Sequence, residues 1–528
     1  MYVRTAALLA MLAAALTLGG GAGAGTASQQ PKKIDLTNPA AVDSYLTSIG
    51  VNPATVVRQV GLLNYAGPAS GCPGVGWNCT TSSKAVQVSS AGGQNKFKCS
   101  PEGSQVAPTD PETNTCVILQ SGPDNKAQCQ MKDTAEPVES QRCEIDQTST
   151  PAGGRNLALV DQLIEQRKGP EQDARQLADV RQREAERNDV QIHQDVKQST
   201  SVVSTGAQNQ NVHQVALVYQ QANGSKNFSH VHQNQDLSET GAATTQNQNL
   251  GDLPTTGPLT LSDCDQEHKG SASNPNACAN VVQIVGQLAG SPLVVTGSGG
   301  TNESHLHQNI SERAKTNASG STQTQEKVDN GIEAHVDQFN PVNAGTNRKV
   351  SHQDARQRAE GGATQTQIID PRCCGVGTTV GGTGNKDDFQ QTAIQSASLG
   401  TAAFQRLGIG ADSSHVDSPP NPELSLGAAA ASSSTSSSVC RVHHDARNNT
   451  DSTQFTFTEE PCTFLDIETE CFSASAAGPA EAPVGCTSPP DEGGPAVTLN
   501  SSPTFGNPID PPNFGEPSDF PGPIFPGI

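Results

Sequence analysis

Large apolar and aromatic side chains are scarce: aromatics make up 3% of the 528 residues and hydrophobic residues 33%, with one Trp, four Tyr and three Met. That shortage excludes one large conventional core. A chain of this kind orders itself mainly through backbone and amide hydrogen bonds, or stays partly disordered. Basic residues are also few, 32 against 53 acidic ones, and the formal charge of −21 disfavours a nucleic-acid phosphate backbone as partner. Beyond the N-terminus no apolar stretch approaches the roughly 20 residues needed to span a bilayer. No Cys-x2-Cys spacing suits a zinc site. Gly-x-Ser-x-Gly, His-Glu-x-x-His and the phosphate-loop pattern are missing as well. Adjacent acids such as Glu459-Glu460 and Asp387-Asp388 read as surface charge, so neither enzymatic activity nor a cofactor is expected.

The chain opens with Met1, Arg4, an apolar run from Ala6 to Leu18, and small residues at Ala22, Ala24 and Ala27. This is the plan of a secretory signal peptide over residues 1–27, with cleavage after Ala24 or Ala27. Fourteen cysteines behind an export signal make disulfides the default. Cys264 and Cys278 form the one isolated pair and are expected to bond to each other, leaving the other pairings open. The vicinal Cys373 and Cys374 are each expected to pair elsewhere.

Asn38-Pro39 and Asn52-Pro53 each place a capping side chain before a proline, and Gly50 can end the first helix. Val42, Leu46 and Ile49 then share one face, and Val56, Val60 and Leu63 another, which predicts a helical hairpin over 36–67. Residues 68–150 hold six cysteines and Trp77 and read as a loop-rich module held by disulfides. Over 156–188 the stripe Leu157, Val160, Ile164 and the pairs Glu171/Arg175 and Asp179/Arg183 predict a charged connector helix, interrupted at Gly169-Pro170. Further on lie a Ser/Ala linker at 420–438, a four-cysteine β module at 439–486 and a disordered Pro-rich tail at 487–528.

Between them, over 191–405, runs an internal repeat interrupted by a disulfide loop at 254–300. Gln191-Ile192-His193-Gln194, His230-Val231-His232-Gln233 and His305-Leu306-His307-Gln308 are followed by Gln208-Asn209-Gln210, Gln246-Asn247-Gln248 and Gln323-Thr324-Gln325. A shorter copy joins Ser351-His352-Gln353 to Gln365-Thr366-Gln367, and glycines at 206, 241, 320 and 362 precede the triads. Period-two alternation suits strand, turn, strand, and stacked copies would lay like amides over one another. Spacings of about 20 residues between Gln194, Gln214 and Gln233 predict the coil or hairpin period.

The expected fold class is therefore mainly β: an irregular Gln/Asn-rich stack, solenoid-like or of serial hairpins, flanked by small disulfide-rich modules. Over residues 191–370 the repeat resembles that of curli-type extracellular fibre subunits, whose strand-turn-strand units stack their amides. His before Gln, irregular spacing and flanking cysteines depart from that pattern. The resemblance implies self-association. The function expected is that of a secreted structural or interaction protein of the cell envelope or extracellular matrix, whose partners are itself or cell-surface components. The alternative is an extracellular binding module for a carbohydrate, metal or protein. For metal, His230 with His232 and His305 with His307 each share a strand face and could chelate a divalent ion; otherwise they pair along a ladder or face solvent.

Overall fold

The computed structural model describes residues 33–99, 114–134, 138–150, 153–249 apart from 168 and 203–205, 281–289 and, with short interruptions, 300–416, then strands at 435–449, 453–459 and 467–472. Among the described residues the chain is mainly strand, with one α-helix, Pro39–Ser48. Every described strand pairing is parallel. The strands therefore are not serial hairpins, which need antiparallel neighbours.

The pairing builds two columns. The first runs through 57–61, 84–89, Thr115–Gly122, Val138–Ser149, 171–183 and 207–222. The second runs through 63–66, 94–99, Asp124–Thr134, Arg155–Gln166, 187–202, 226–241, Thr301–Thr316, Thr346–Glu360, Gly384–Ser398 and Thr435–Asn449. One strand of each column makes a rung, and the chain repeats it. In later rungs the first-column strand is split: Thr245–Asn249 and Val281–Ala289 both pair with Ala207–Gly241, so residues 250–280 are inserted within one strand position.

Between the columns, polar amides occupy core positions. Asn64, Asn95, Asn125, Asn156, Asn188, Asn227, Asn302, Asn347 and Asn385 stack in register, each Nδ2 donating to the next Oδ1 at 2.8–3.0 Å. In the first column Gln59, Gln87, Gln120, Gln147, Gln182, Gln220, Gln287 and Gln338 form a second ladder at 2.8–3.0 Å, in which the later Nε2 donates to the earlier Oε1. The same amide groups reach across the core. Gln147 Nε2 also donates to the carbonyl of Leu157 at 3.0 Å, and Asn156 Nδ2 to that of Arg183 at 3.0 Å. Further Gln ladders descend from Gln162 through Gln194, Gln233, Gln308 and Gln353, and from Gln172 through Gln210, Gln248, Gln325 and Gln367. Small and branched apolar residues stack between them, for instance Ile118, Ile145, Val180, Val218, Val285 and Val336 in register.

Several expectations are corrected. A helix stands at Pro39–Ser48 with the Asn38 side chain capping Ala40 and Ala41, but Asn52 caps only the short turn Pro53–Thr55. The chain then enters strand Val57–Ala66, so 36–67 is no helical hairpin. Nor is 156–188 a helix: it belongs to strands Arg155–Gln166 and Glu171–Val202. The physical reason is shared. Asn156, Ala158, Val160, Gln162, Ile164 and Gln166 are all buried, a period of two that vanishes when only apolar residues are counted as core. The predicted i,i+4 ion pairs become i,i+2 pairs on strand faces, Arg175 with Asp173 at 2.7 Å and Arg181 with Asp179.

The segment 68–150 is no separate loop-rich module, because its strands continue the columns, with disulfides Cys72–Cys79 and Cys99–Cys116. The stack thus begins at residue 57 and not at 191. Its period is the rung: successive Asn positions lie 30 to 32 residues apart in the early rungs, then 39, 75, 45 and 38. Gln214 lies in the other column from Gln194 and Gln233, so the 20-residue spacing is about half a rung. Strand Thr435–Asn449 starts inside the expected linker and pairs with Gly384–Ser398, while Thr453–Glu459 and Ile467–Phe472 pair onward, so these described strands of the expected four-cysteine module extend the stack. The leader 1–27, the expected bond Cys264–Cys278, the vicinal Cys373 and Cys374, and the tail 487–528 lie outside the described residues.

Replacing Asn156 by Ala removes the acceptor for Asn125 and the donor for Asn188. At about 1–3 kcal/mol for each orphaned buried group, the loss should reach about 2–4 kcal/mol. Denaturant unfolding of the variant beside a surface control, Gln130→Ala, checks this.

Candidate functional site

Outward-pointing residues alternate with the core ones, and on the second column they form a flat polar face. Ile192, Val231 and Leu306 point inward and fix their neighbours His193, His232 and His307 outward. His193, His232, His307 and His352 stand in register over four rungs. The rings of His232 and His307 stack at 4.6 Å and 8°, those of His193 and His232 at 5.1 Å and 25°, and His307 meets His352 edge-on at 6.0 Å. Asp161 precedes the column, with Oδ1 at 3.7 Å from His193 Nδ1.

Beside this column runs a shorter one. His230 and His305 approach edge-on at 6.2 Å, and His305 is held at 3.0 Å by Glu303, which also accepts from Lys226 at 3.0 Å and Arg348 at 3.2 Å. An outer amide ladder flanks the histidines: Asn309 donates to Asn234 at 3.0 Å and Asn234 to Asp195 at 2.8 Å.

The structure thus brings His232 to His307 and His230 to His305. Ring nitrogens carry their lone pairs in the ring plane, so two rings stacked face to face 4.6 Å apart do not aim at one ion about 2.0–2.1 Å from each. Among the described residues no group of three or more His, Cys, Asp or Glu side chains converges as a metal site. His193 and His352 extend the column beyond the residues singled out. Their signal was present in the tetrads, but only the His-x-His copies suggested ligands. Glu303 and Asp161 had no local signal, because each reaches its histidine only through the fold or the strand pleat.

Electrostatics separate the Asp161 end of the column from its middle. The carboxylate of Asp161 facing the His193 ring raises the His193 pKa, and the same contact lowers that of Asp161. Half-burial pushes His232 down to about 4, the charges on His307 and His193 adding to the effect, and burial also lowers His307. The hydrogen bond from His305, followed by that from Lys226, holds Glu303 down to about 2. At neutral pH the middle of the column is a stack of uncharged imidazoles that can offer and accept hydrogen bonds at rung spacing.

A second polar cluster lies on the outer face of the first column. The helix packs Val42 and Leu46 on Val86, Val117 and Leu119, and Tyr45 donates to Glu144 at 3.2 Å. Arg142 pairs with Glu144 at 2.6 Å, and the buried Arg183 Nη1 donates to both carboxylate oxygens of Asp146 at 2.7 and 2.9 Å. Burial raises Asp179 to about 6 against the pull of Arg181. Each acid here has its arginine, so the cluster seats the helix. No protein-family model, curated protein or solved structure matches the chain.

The pH dependence follows from these shifts. A histidine whose folded pKa lies below its unfolded value near 6.5 contributes stability above pH 6.5 that is lost as pH falls toward about 4. Thermal midpoints should fall over that window, and less steeply in His232→Gln, a side chain already present in register with His352 at Gln390. An identical slope in both proteins would refute the assignment.

Glu239 acts in the opposite sense. Its fully buried carboxyl has no hydrogen-bond partner, and burial, then Glu312, pushes its pKa well above the usual range. Its protonated form is favoured by folding, so its contribution is lost as pH rises through the folded value. Glu239→Gln should stabilise the protein at pH 8 by about 1–3 kcal/mol and change little at pH 4, as read by denaturant unfolding.

Proposed function

We propose that the protein is a secreted, non-enzymatic structural or interaction protein of the cell envelope or extracellular matrix, built as a two-column β-solenoid. The observation that carries this reading is the continuous pair of Asn and Gln ladders, which gives a core-poor chain a stiff, extendable axis. Two disulfides, Cys72–Cys79 near the surface and Cys99–Cys116 in the core, suit an oxidising exterior. Among the described residues no helix is long and apolar enough to cross a membrane.

The self-association surface in this proposal is the first edge. The 57–61 strand pairs only with 85–89 among the described residues, and nearby Val60 and Leu62 are 78% and 58% exposed. An open strand edge with apolar side chains is a template for another chain. The fibre resemblance of the repeat supports the same direction. The alternative, a binding module, is supported by the flat His-lined face, whose groups recur at each rung and suit a ligand with a repeating polar surface.

Sedimentation velocity and electron microscopy on the full oxidised chain should reveal concentration-dependent, end-to-end species. The double variant Val60→Lys/Leu62→Lys should weaken association by at least about tenfold, equivalent to about 1.4 kcal/mol. Strict monomers at every concentration would sink the structural reading. Saturable binding of a polysaccharide by such monomers, lost when His232 and His307 become Ala, would establish the alternative.

A further inference from the structure

The disulfide Cys99–Cys116 joins the second column of one rung to the first column of the next, with its Cα atoms 6.1 Å apart. One rung further along, Cys129 stands in register with Cys99 and Cys143 in register with Cys116. Parallel, in-register pairing sets the second pair across the same two columns one rung further on, and the separation of the first pair falls within the range a disulfide spans. Both second-pair residues are fully buried and stand as free thiols in this structure, and Cys129 is among the groups that raise the Cys143 pKa.

We propose that Cys129 and Cys143 form a disulfide stacked directly on Cys99–Cys116, so that two consecutive rungs are bolted across the core. In the rung beyond, the same positions are held by Val160 and Ala178. The sulfurs thus fill the apolar threads that aliphatic side chains fill elsewhere, and the bond introduces no polar atom into the core.

The chemistry is thiol–disulfide exchange with a disulfide oxidant such as oxidised glutathione. One thiolate attacks a sulfur of the oxidant and expels a glutathione thiolate, leaving a mixed disulfide. The second thiolate then attacks the protein sulfur and expels the other. Two protein thiols are oxidised, one disulfide is reduced to two thiols, and the two protons pass to them. Burial pushes the Cys143 thiol well above its ordinary pKa, which suppresses the reactive thiolate in the closed stack. The bond therefore forms while these rungs are still open and is hard to reduce afterwards.

The sequence makes the test direct. Trypsin cutting at Lys98, Lys126, Lys132, Arg142 and Arg155 yields 99–126 with Cys99 and Cys116, 127–132 with Cys129, and 143–155 with Cys143. The full chain, purified from an oxidising medium, is denatured with iodoacetamide and no reductant, digested and mapped by mass spectrometry. The expected result is 127–132 linked to 143–155, with 99–126 internally bridged and lighter by two hydrogens than its reduced form. Recovery of 127–132 and 143–155 as separate alkylated peptides, or of either one joined to 99–126, would overturn the proposal. In Cys129→Ala, alkylated 143–155 should rise from trace to near-stoichiometric while 99–126 stays bridged. A bridge that shifts to include Cys143 with Cys99 or Cys116 would overturn it too. The result is independent of whether the chain self-associates.

Discussion

The buried amide-to-amide hydrogen bond is the interaction on which the rest of this structure depends. A glutamine or asparagine in a core is costly unless each of its polar atoms is satisfied, and a single net hydrogen bond contributes only about 1 kcal/mol. Stacking in register removes most of that cost wherever the neighbouring rung carries the same amide. Asn156 accepts from Asn125, donates to Asn188 and also reaches the carbonyl of Arg183. Since every bond requires an identical residue one rung away, register is specified as strictly as in a conventional packed core. A slip by one residue would turn all the amides outward.

That requirement explains the composition. Between the amides the interior uses mostly Ala, Val, Ile and Cys, with a few larger side chains such as Phe97 and Met131. Charges are placed on the strand faces, where Arg356 with Asp354 and Lys197 with Asp195 pair two residues apart along one strand. Exposed pairs of this kind contribute little each, and they keep the faces soluble without disturbing the ladders. A few charged groups are buried instead, among them Glu312, which accepts from Gln357, and Glu239, a core carboxyl with no bonded partner.

The β character, the amide stacking and the outward histidines were legible in the tetrads and triads, because there His and Gln alternate visibly. The earlier rungs were not. In 155–166 the core positions are shared among Asn156, Ala158, Val160, Gln162 and Ile164, and reading only the apolar ones leaves Val160 and Ile164 at a helical spacing. Likewise Val56, Val60 and Leu63 look like a helix face, while Gln59 and Asn64, the true interior residues of that strand, look like surface. Rung length was equally hidden, since Gln194 and Gln214 sit on opposite columns and only Gln194 and Gln233 are stacked. The contact of Glu303 with Lys226 and Arg348 joins three rungs and has no signature along the chain.

The direction of the first-column glutamine bonds bears on how the molecule is made. Each Nε2 belongs to the later rung and each Oε1 to the earlier, so a completed rung presents a row of waiting acceptors on its growing side. At Gln338 and Gln365, where the next rung supplies no glutamine, that acceptor is left unmet. A chain that is released N-terminus first can therefore lay down its rungs in order of arrival, each one finding its half of the bond already in place. Folding becomes a vectorial process that needs no search among distant segments.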